Sequence, residues 1–299
     1  MRKFIMSDIH GNSNIYNSIM SYLDNLNKEE EVILYINGDL IDRGEDSAQI
    51  LLDVRNRILS NKGVKIKYLA GNHELMMYQA SLDRSPTGVW PVFSDWFNNM
   101  GWVTAYNLEE LVTQEEENEI VKFISNLKIY HKFKETLNDK EIVLVHAKCP
   151  NNPLDNCNLK VKDNTYEIES LVWTRKIDYW GRKTNKKIGN EKYFTIIGHT
   201  PLNTPTGYEY DEKENVLNID GGCAPYVIGR KEFDHTPLVE IDNENDKLNI
   251  LTFNNNNEII MGNYFTDNRS IPIDNIDLNK YCKYINKKVK VKKFNNYED

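Results

Sequence analysis

The sequence predicts an α/β protein in which two mixed β-sheets pack together with flanking helices, as an α+β sandwich. Short apolar runs of buried-strand length recur along the chain and stop at Gly, Asn, Asp or His. In the first part of the chain these runs alternate with segments of helical periodicity, which is typical of a parallel sheet. In the second part they follow one another without long helices between them, which favours a more antiparallel sheet packed on the first.

Residues 3–71 have the pattern strand, helix, strand, helix, strand. The three strands are KFIMS, VILYIN and KIKYLA. Helices are predicted over Asn12–Leu26 and Ser47–Leu59, the second with apolar residues at helical spacing. This βαβαβ order implies parallel strands joined by right-handed crossovers.

A helical block is predicted next. Pro91 suits a first helical turn, and four apolar residues follow at i, i+3, i+4 and i+7. They are Phe93, Trp96, Phe97 and Met100. A second helix is predicted after Thr113, which forms a candidate capping box with Glu116.

Five later runs have strand character: EIVLVHA, YFTIIGH, NVLNID, PLVEID and KLNILTF. After Phe253 the composition changes to an Asn-rich break and a strongly basic segment. We therefore expect a catalytic domain over residues 1–253 and an Asn/Lys-rich extension over 254–299. The extension is predicted to be an added strand or an exposed tail, with a functional basic arm as the alternative.

The composition of the 299-residue chain is ordinary for a globular protein, with 40% apolar and 27% charged residues. The net charge of −8 disfavours non-specific nucleic-acid binding, which relies on Lys and Arg. There is no long apolar stretch, so we expect a cytoplasmic protein without membrane partners. The four cysteines form no recognisable framework and are predicted to be reduced.

Residue types that bind metals follow the predicted strands. The strand ends carry nine candidate residues: Asp8, His10, Asp39, Asp42, Arg43, Asn72, His73, His146 and His199. Because strand ends meet at one edge of an α/β sheet, these residues are expected to assemble into a metal site. Ligation by Asp, His and Asn without sulfur suits Mn²⁺, Fe or Zn²⁺, and the ligands outnumber the needs of one ion. His131 and His235 lack such neighbours and are predicted to be structural.

Five motifs in this order resemble those of the calcineurin-type metallophosphoesterases. They are D-x-H-G (Asp8–Gly11), G-D-x-x-D-R-G (Gly38–Gly44), G-N-H-E (Gly71–Glu74), H-A (His146–Ala147) and G-H-T-P (Gly198–Pro201). More narrowly, GNHELMM, NNMGW, LVWTRKI and VLNIDGGCA resemble the phage and bacterial, lambda-phosphatase-like branch of the phosphoprotein phosphatases. The resemblance covers residues 3–253.

The resemblance implies a role for each candidate residue. Asp8 and His10 would bind one metal ion, Asp39 would bridge, and Asn72, His146 and His199 would bind the second, with Mn²⁺ favoured over Fe or Zn²⁺. His73 would be the general acid, Asp42 would orient it, and a bridging hydroxide would attack phosphorus. Arg43 and Arg175 would bind the phosphate oxygens.

The implied function is a metal-dependent phosphomonoesterase acting on phosphoserine and phosphothreonine in proteins. A diadenosine tetraphosphate hydrolase of the same fold is the alternative, in which case the partner is a phosphorylated small molecule. A non-catalytic binding module is the third hypothesis, and the intact ligand set disfavours it. For Arg175 an ordinary surface ion pair is an alternative role. The sequence leaves the oligomeric state and the physiological substrate open.

Overall fold

The computed structural model describes residues 1–152, 157–159, 165–176, 183–204, 206–233, 235–256, 258–261, 264–266, 269–271 and 290–293. The side chains of residues 165, 166 and 243 and of all residues after 256 are not described. Cys282 and the basic segment before residue 290 therefore lie outside the described residues.

The first sheet begins with three parallel strands: β1 (Arg2–Met6), β2 (Val32–Asn37) and β3 (Lys65–Leu69). Helix α1 (Ser13–Leu26) connects β1 to β2, and α2 (Ser47–Ser60) connects β2 to β3. The side chain of Asn12 accepts a hydrogen bond from the backbone N–H of Ile15 and caps α1. The predicted βαβαβ order is confirmed.

The same sheet continues on the other side of β1 with two antiparallel strands from late in the chain. They are β9 (His235–Asp242) and β10 (Lys247–Asn254). Four short strands of the extension follow at this end: β11 (Glu258–Met261), β12 (Tyr264–Thr266), β13 (Arg269–Ile271) and β14 (Lys290–Lys293). Both β11 and β12 pair with β10, so part of the extension adds strands to the sheet.

The second sheet contains β4 (Tyr130–Leu137), β5 (Lys140–Val145), β6 (Tyr193–Ile197), β8 (Val216–Asn218) and β7 (Glu209–Asp211), in that order. The pairs β5–β6 and β6–β8 are parallel, and only the two outer pairs are antiparallel. The expectation of a more antiparallel second sheet is therefore wrong in detail. A long connection that contains α7 (Thr165–Trp173) makes the parallel β5–β6 crossover feasible. The predicted fold class, two mixed sheets with flanking helices, is confirmed.

The helical block differs from its prediction. After α3 (Asn72–Leu82) come a four-residue helix α4 (Asp95–Asn98) and a separate α5 (Gly101–Leu111). Met100 lies between them with φ +67°, so the expected helix through Phe93 and Met100 is wrong, and Phe93 is 95% exposed. Gly101 explains the break, because a Cβ there would lie 2.4 Å from the buried indole of Trp96. The Thr113 capping box of α6 (Gln114–Ser125) is confirmed.

Two apolar cores fix these layers. One lies between the first sheet and its helices, and includes Phe4, Leu23 and Leu51. The other fills the space between the two sheets, where Ile5 meets side chains of the second sheet such as Phe194. Among the helices that the structure describes, none has both the length and the apolar character needed to cross a bilayer.

Candidate metal centre

The candidate residues come together where strands of both sheets end. Asp8, Asp39 and Asn72 follow β1, β2 and β3, whereas His146 and His199 follow β5 and β6. Six candidate residues have left-handed backbone conformations. They are Asp8 (φ 54°), His10 (45°), Asp39 (51°), Asp42 (73°), Arg43 (71°) and His199 (69°). Such conformations are unfavourable for non-glycine residues and concentrate at functional sites.

Glycines allow the site elements to approach one another closely. A Cβ at Gly198 would lie 2.0 Å from a carboxylate oxygen of Asp8, and one at Gly71 would lie 2.2 Å from Asp39. Both distances are shorter than any real contact, so only glycine fits at these positions. The glycines of the G-N-H-E and G-H-T-P motifs therefore make room for the carboxylates.

The first group of potential ligands is His10, Asp39 and His73. His10 Nε2 lies 3.4 Å and His73 Nε2 lies 4.0 Å from the same oxygen, Oδ2 of Asp39. Because His10 donates from Nδ1 to the carbonyl of Ile41 at 2.9 Å, its Nε2 keeps a free lone pair toward the site. His73 is directed at this group by its own backbone N–H, which donates to Asp39 at 3.0 Å.

The second group shares Asp39 and adds His146 and His199. His146 Nε2 lies 3.3 Å from Asp39 Oδ2 and 3.1 Å from Oδ1 of Asn72. Its Nδ1 donates to the carbonyl of Asn37 at 2.8 Å, so Nε2 is again the nitrogen available to a metal. Asp39 is thus the one residue that belongs to both groups.

Asp8 lies beside the second group. Its carboxylate accepts hydrogen bonds from the backbone N–H of His199 at 3.0 Å and from the hydroxyl of Ser7. Burial and the nearby Asp220 raise the pKa of Asp8 well above its usual range. The structure therefore brings Asp8 to the site.

The donor set fits divalent cations. His73 Nε2 and His199 Nδ1 are buried and have no hydrogen-bond partner, which is costly unless another atom binds them. The surrounding donors are oxygen and nitrogen, the ligands that Mn²⁺, Fe and Zn²⁺ accept. Two groups joined by one carboxylate match the arrangement of a two-metal site.

Electrostatics within the groups keep one carboxylate charged. Burial alone would raise the pKa of Asp39, but His146 and His73 hold it well below its usual range. In return, and despite burial, Asp39 and Asp8 raise the pKa of His146 to about 10. Burial and Arg43 lower the pKa of His10 to about 4, and burial lowers that of His73 to about 3. The imidazole of His10 is therefore neutral at pH 7, as a metal ligand must be.

The Asp42 carboxylate accepts three hydrogen bonds in a fully buried position. His73 Nδ1 lies 2.7 Å from Oδ2, Trp96 Nε1 donates to Oδ2 at 2.8 Å, and Thr104 Oγ1 donates to Oδ1 at 2.6 Å. Burial raises the pKa of Asp42 to about 7 despite these donors. The sequence predicts neither contact with Asp42, because helical spacing is the only pattern that marks Trp96 and no pattern marks Thr104.

Arg43 and Arg175 each lie beside a candidate ligand histidine. Arg43 Nη1 lies 3.4 Å from His10 Nε2, and Arg175 donates to His199 from Nε and Nη2, both at 2.9 Å. Trp173 is 39% exposed, with its ring edge-on to His199 at 5.8 Å. It is the last residue of α7, beside the site.

Two buried acids without an assigned role also support the site. Glu74 accepts hydrogen bonds from the backbone N–H groups of Asp39, Leu40 and Gly71 and from the Tyr68 hydroxyl, over 2.6–3.0 Å. It therefore fixes the loop that carries Asp39, which the G-N-H-E motif signalled without giving the reason. Asp220 accepts from Gly222 N–H at 3.0 Å in the VLNIDGG stretch.

The family model for calcineurin-like phosphoesterases matches residues 1–229. The chain belongs to this family. The chain is 25% identical over 232 residues to bis(5'-nucleosyl)-tetraphosphatase PrpE [asymmetrical] of Anoxybacillus flavithermus, covering 74% of this chain and 85% of that protein.

A solved structure shares the fold of this family member. A serine/threonine phosphatase from Saccharomyces cerevisiae with similarity to human phosphatase PP5 superposes with a TM-score of 0.55 at 15% identity, over 85% of this chain and 80% of the other. A cold-active protein-tyrosine phosphatase of a Shewanella species gives a TM-score of 0.47 at 15% identity, over 85% and 78%. The chain is accordingly a metallophosphoesterase by fold and family.

Proposed function

We propose that this phosphoesterase is a metal-dependent phosphomonoesterase that removes phosphate from phosphoserine and phosphothreonine in proteins. The observation that carries this proposal is the His73–Asp42 pair. The imidazole Nδ1 is held at 2.7 Å by a buried carboxylate, and the opposite nitrogen is buried without a partner beside Asp39. A nitrogen so placed suits proton donation to the oxygen that leaves with serine or threonine.

We assign the metal ligands as Asp8, His10 and Asp39 for one ion and Asp39, Asn72, His146 and His199 for the other. Two divalent cations bound here would neutralise phosphate oxygens and lower the pKa of water. The neutral His10 and the low pKa of Asp39 support ligation at neutral pH. Mn²⁺ is our preferred metal, because the donors are oxygen and nitrogen only.

Arg43 and Arg175 are proposed to bind the transferred phosphate. Each guanidinium already lies within hydrogen-bond reach of a ligand histidine, Arg43 near His10 and Arg175 near His199. A phosphate between them would receive planar donors from two sides. Arg175 is half-buried and bonded to His199, which supports this role over that of a surface ion pair.

A dinucleoside polyphosphate hydrolase is the second candidate. The similarity to the Anoxybacillus tetraphosphatase favours it, because that protein acts on bis(5'-nucleosyl) tetraphosphate and aligns over most of both chains. A non-catalytic binding module is disfavoured, because the structure retains the complete set of expected ligands and the unpartnered His73 nitrogen. We further infer a cytoplasmic location, since the described Cys149, Cys157 and Cys223 are free thiols.

One substrate panel separates the candidates. Mn²⁺-loaded protein is assayed on a phosphoserine peptide, a phosphothreonine peptide and diadenosine tetraphosphate at one ionic strength. We expect higher kcat/KM on the peptides, and loss of all activity with chelator. A preference for the dinucleotide above tenfold would replace the protein-phosphatase proposal with the second candidate. Full activity in protein free of metal by elemental analysis would exclude the two-metal site.

His73→Asn tests the proposed acid. We expect kcat on the phosphoserine peptide to fall by about 10²–10⁴, the usual contribution of general acid catalysis. The loss on p-nitrophenyl phosphate should be smaller, because that leaving group needs less protonation. Metal content, measured in the same preparation, should not change. Equal losses on both substrates would remove the acid role from His73.

Asp39→Asn tests the bridging ligand. Because Asp39 belongs to both ligand groups, we expect this variant to lose more bound Mn²⁺ than Asn72→Ala, which lies in one group only. Elemental analysis of both variants after dialysis provides the comparison. Equal metal content in the two variants would contradict a shared ligand at Asp39.

A further inference from the structure

A groove opens beside Arg43. One wall is formed by Met100 and the outer face of α5, with Trp102 and Tyr106, and the other is the segment at the end of α8 (Cys223–Val227) with Val227 and Ile228. We name this cavity the α5 groove. Its volume is about 590 Å³, which lies in the range of small-ligand sites. Arg43 is one of its lining residues, so the groove adjoins the place where the phosphate is proposed to bind.

The walls of the α5 groove are mostly apolar and open to solvent, with Arg43, Glu45 and Asn107 as the polar lining residues. Trp102 is 42% exposed, Tyr106 is 51% exposed and Ile228 is 51% exposed. Large apolar side chains that share one cavity and remain accessible indicate a surface that binds a partner. The Asn107 amide contributes little hydrogen-bonding capacity, because its nitrogen donates to the carbonyls of Val103 and Glu45 at 3.1 and 2.7 Å. The cavity therefore suits an apolar group better than the polar edge of a nucleobase.

Carboxylates outnumber cations in and beside the groove. Arg43 and Glu45 line the groove itself, whereas Glu109 and Glu110 are exposed three and four positions after Tyr106 and continue its helical face. Carboxylates on this face repel a polyphosphate chain and favour a cationic or neutral group. This charge order is complementary to a peptide with its phosphate at Arg43 and a basic side chain farther along.

We infer that the α5 groove binds a large apolar side chain located next to the phosphorylated residue of a peptide substrate. Trp102 and Tyr106 are its specificity-determining residues. Extended chain advances about 3.3 Å per residue, so a flanking side chain reaches the groove while the phosphate remains at Arg43. This inference rests on the proposed protein-phosphatase activity and adds a sequence preference to it.

Two phosphoserine peptides with an outer lysine test the inference, one with Phe on both sides of the phosphoserine and one with Gly. We expect the kcat/KM of full-length, Mn²⁺-loaded protein to be roughly tenfold higher for the Phe peptide, because burial of one apolar group has an effect of this size. The difference should lie mainly in KM. In Trp102→Ala and Tyr106→Ala the preference should fall toward one. Phe93→Ala is the matched control, since Phe93 is an exposed aromatic side chain outside the groove.

The outcomes separate the groove from the activity. Equal kcat/KM for the two peptides in the wild type, or a preference that Trp102→Ala and Tyr106→Ala retain while their melting temperatures match the wild type, would overturn the groove inference alone. Hydrolysis of diadenosine tetraphosphate but of neither peptide would overturn the proposed function, and the inference with it. If Trp102→Ala raises the KM for diadenosine tetraphosphate but keeps the peptide preference, the groove would be assigned to a nucleobase instead.

Discussion

At the scale of single residues, the environment of Asp42 determines how His73 is presented. A carboxylate that is fully buried would normally be neutral, and burial indeed raises its pKa to about 7. Trp96 and Thr104 supply hydrogen bonds that favour the charged form and fix both carboxylate oxygens. His73 is thereby oriented with Nδ1–H toward Asp42 and Nε2 toward the site, and a charged Asp42 would stabilise the imidazolium that the proposed acid requires.

Thr104 offers a clean test of this arrangement. Thr104→Val keeps the shape but removes the hydroxyl, and we expect kcat on a phosphoserine peptide to fall about tenfold, because a hydrogen bond to a charged group is lost. Thr104→Ser keeps the hydroxyl and should retain most of the activity. The loss in Thr104→Val should be smaller on p-nitrophenyl phosphate. A uniform loss on both substrates, matched by Thr104→Ser, would mean that Thr104 acts only in packing.

At the scale of secondary-structure elements, the sequence predicted best where local pattern and tertiary position agree. The first three strands and two helices are confirmed because apolar runs and helical periodicity are both strong there. The break at Met100 was missed because it depends on Gly101 meeting Trp96, a tertiary contact that periodicity does not encode. The short β7 also escaped prediction, since EYD has no apolar alternation and depends on β8 for pairing.

The sequence predicts more of the candidate site than of the structure that surrounds it. Asp8 and His199 are far apart in sequence and follow strands of different sheets, β1 and β6, yet the ends of these strands meet at the site. The supporting shell was not predictable in the same way. Trp96, Thr104 and Asp220 reach the site from a short helix, a helix interior and a loop, where no common pattern marks them.

In strand β4, protonation of His131 is expected to make the free energy of unfolding depend on pH. Burial, together with Lys67, Lys128 and Lys3, lowers the pKa of His131 from 6.5 to about 4, against a small opposing effect of Glu135. His131 packs between Tyr35 and Phe133, with ring centroids at 4.9 and 4.7 Å. The folded state therefore binds the His131 proton less tightly than the unfolded state does. The neutral, packed His131 stabilises the folded state fully above pH 6.5, and the free energy of unfolding decreases as the pH falls from 6.5 toward 4.

Urea unfolding at pH 7.5 and pH 5.0 measures this effect. We expect the wild type to lose more unfolding free energy between the two pH values than His131→Gln, which cannot be protonated. Other buried acids titrate in both proteins and cancel in the comparison. Parallel losses in the two proteins would show that His131 is protonated with its ordinary pKa in the folded state.

At the scale of the whole molecule, the site lies at the junction of the two sheets, while the extension lies at the far end of the first sheet. β1, β2 and β3 of one sheet and β5 and β6 of the other supply the ligands. The extension strands β11 and β12 instead pair with β10, on the other side of β9. The catalytic part and the extension are therefore separated by two strands.

Truncation after Asn255 tests this separation. We expect kcat/KM on p-nitrophenyl phosphate to stay within about twofold, because no candidate residue lies beyond that point. The truncated protein should associate more readily, since β10 becomes an unpaired sheet edge with Leu251, Thr252 and Phe253 no longer bonded to β11. Light scattering at increasing concentration, with the full chain as control, measures this. A folded but inactive truncation would show that the extension contributes to the site.

The left-handed backbone at six candidate residues has a consequence for how this chain tolerates change. At Asp8, His10, Asp39, Asp42, Arg43 and His199 the conformation favours glycine or asparagine, whereas the chemistry needs a charged or imidazole side chain. Selection for thermal stability alone, without any screen for catalysis, should therefore enrich glycine at these positions. Selection for activity should keep the present residues. Glycine at these positions would favour stability but remove function. These loops therefore keep residues that function requires even where the backbone conformation disfavours them.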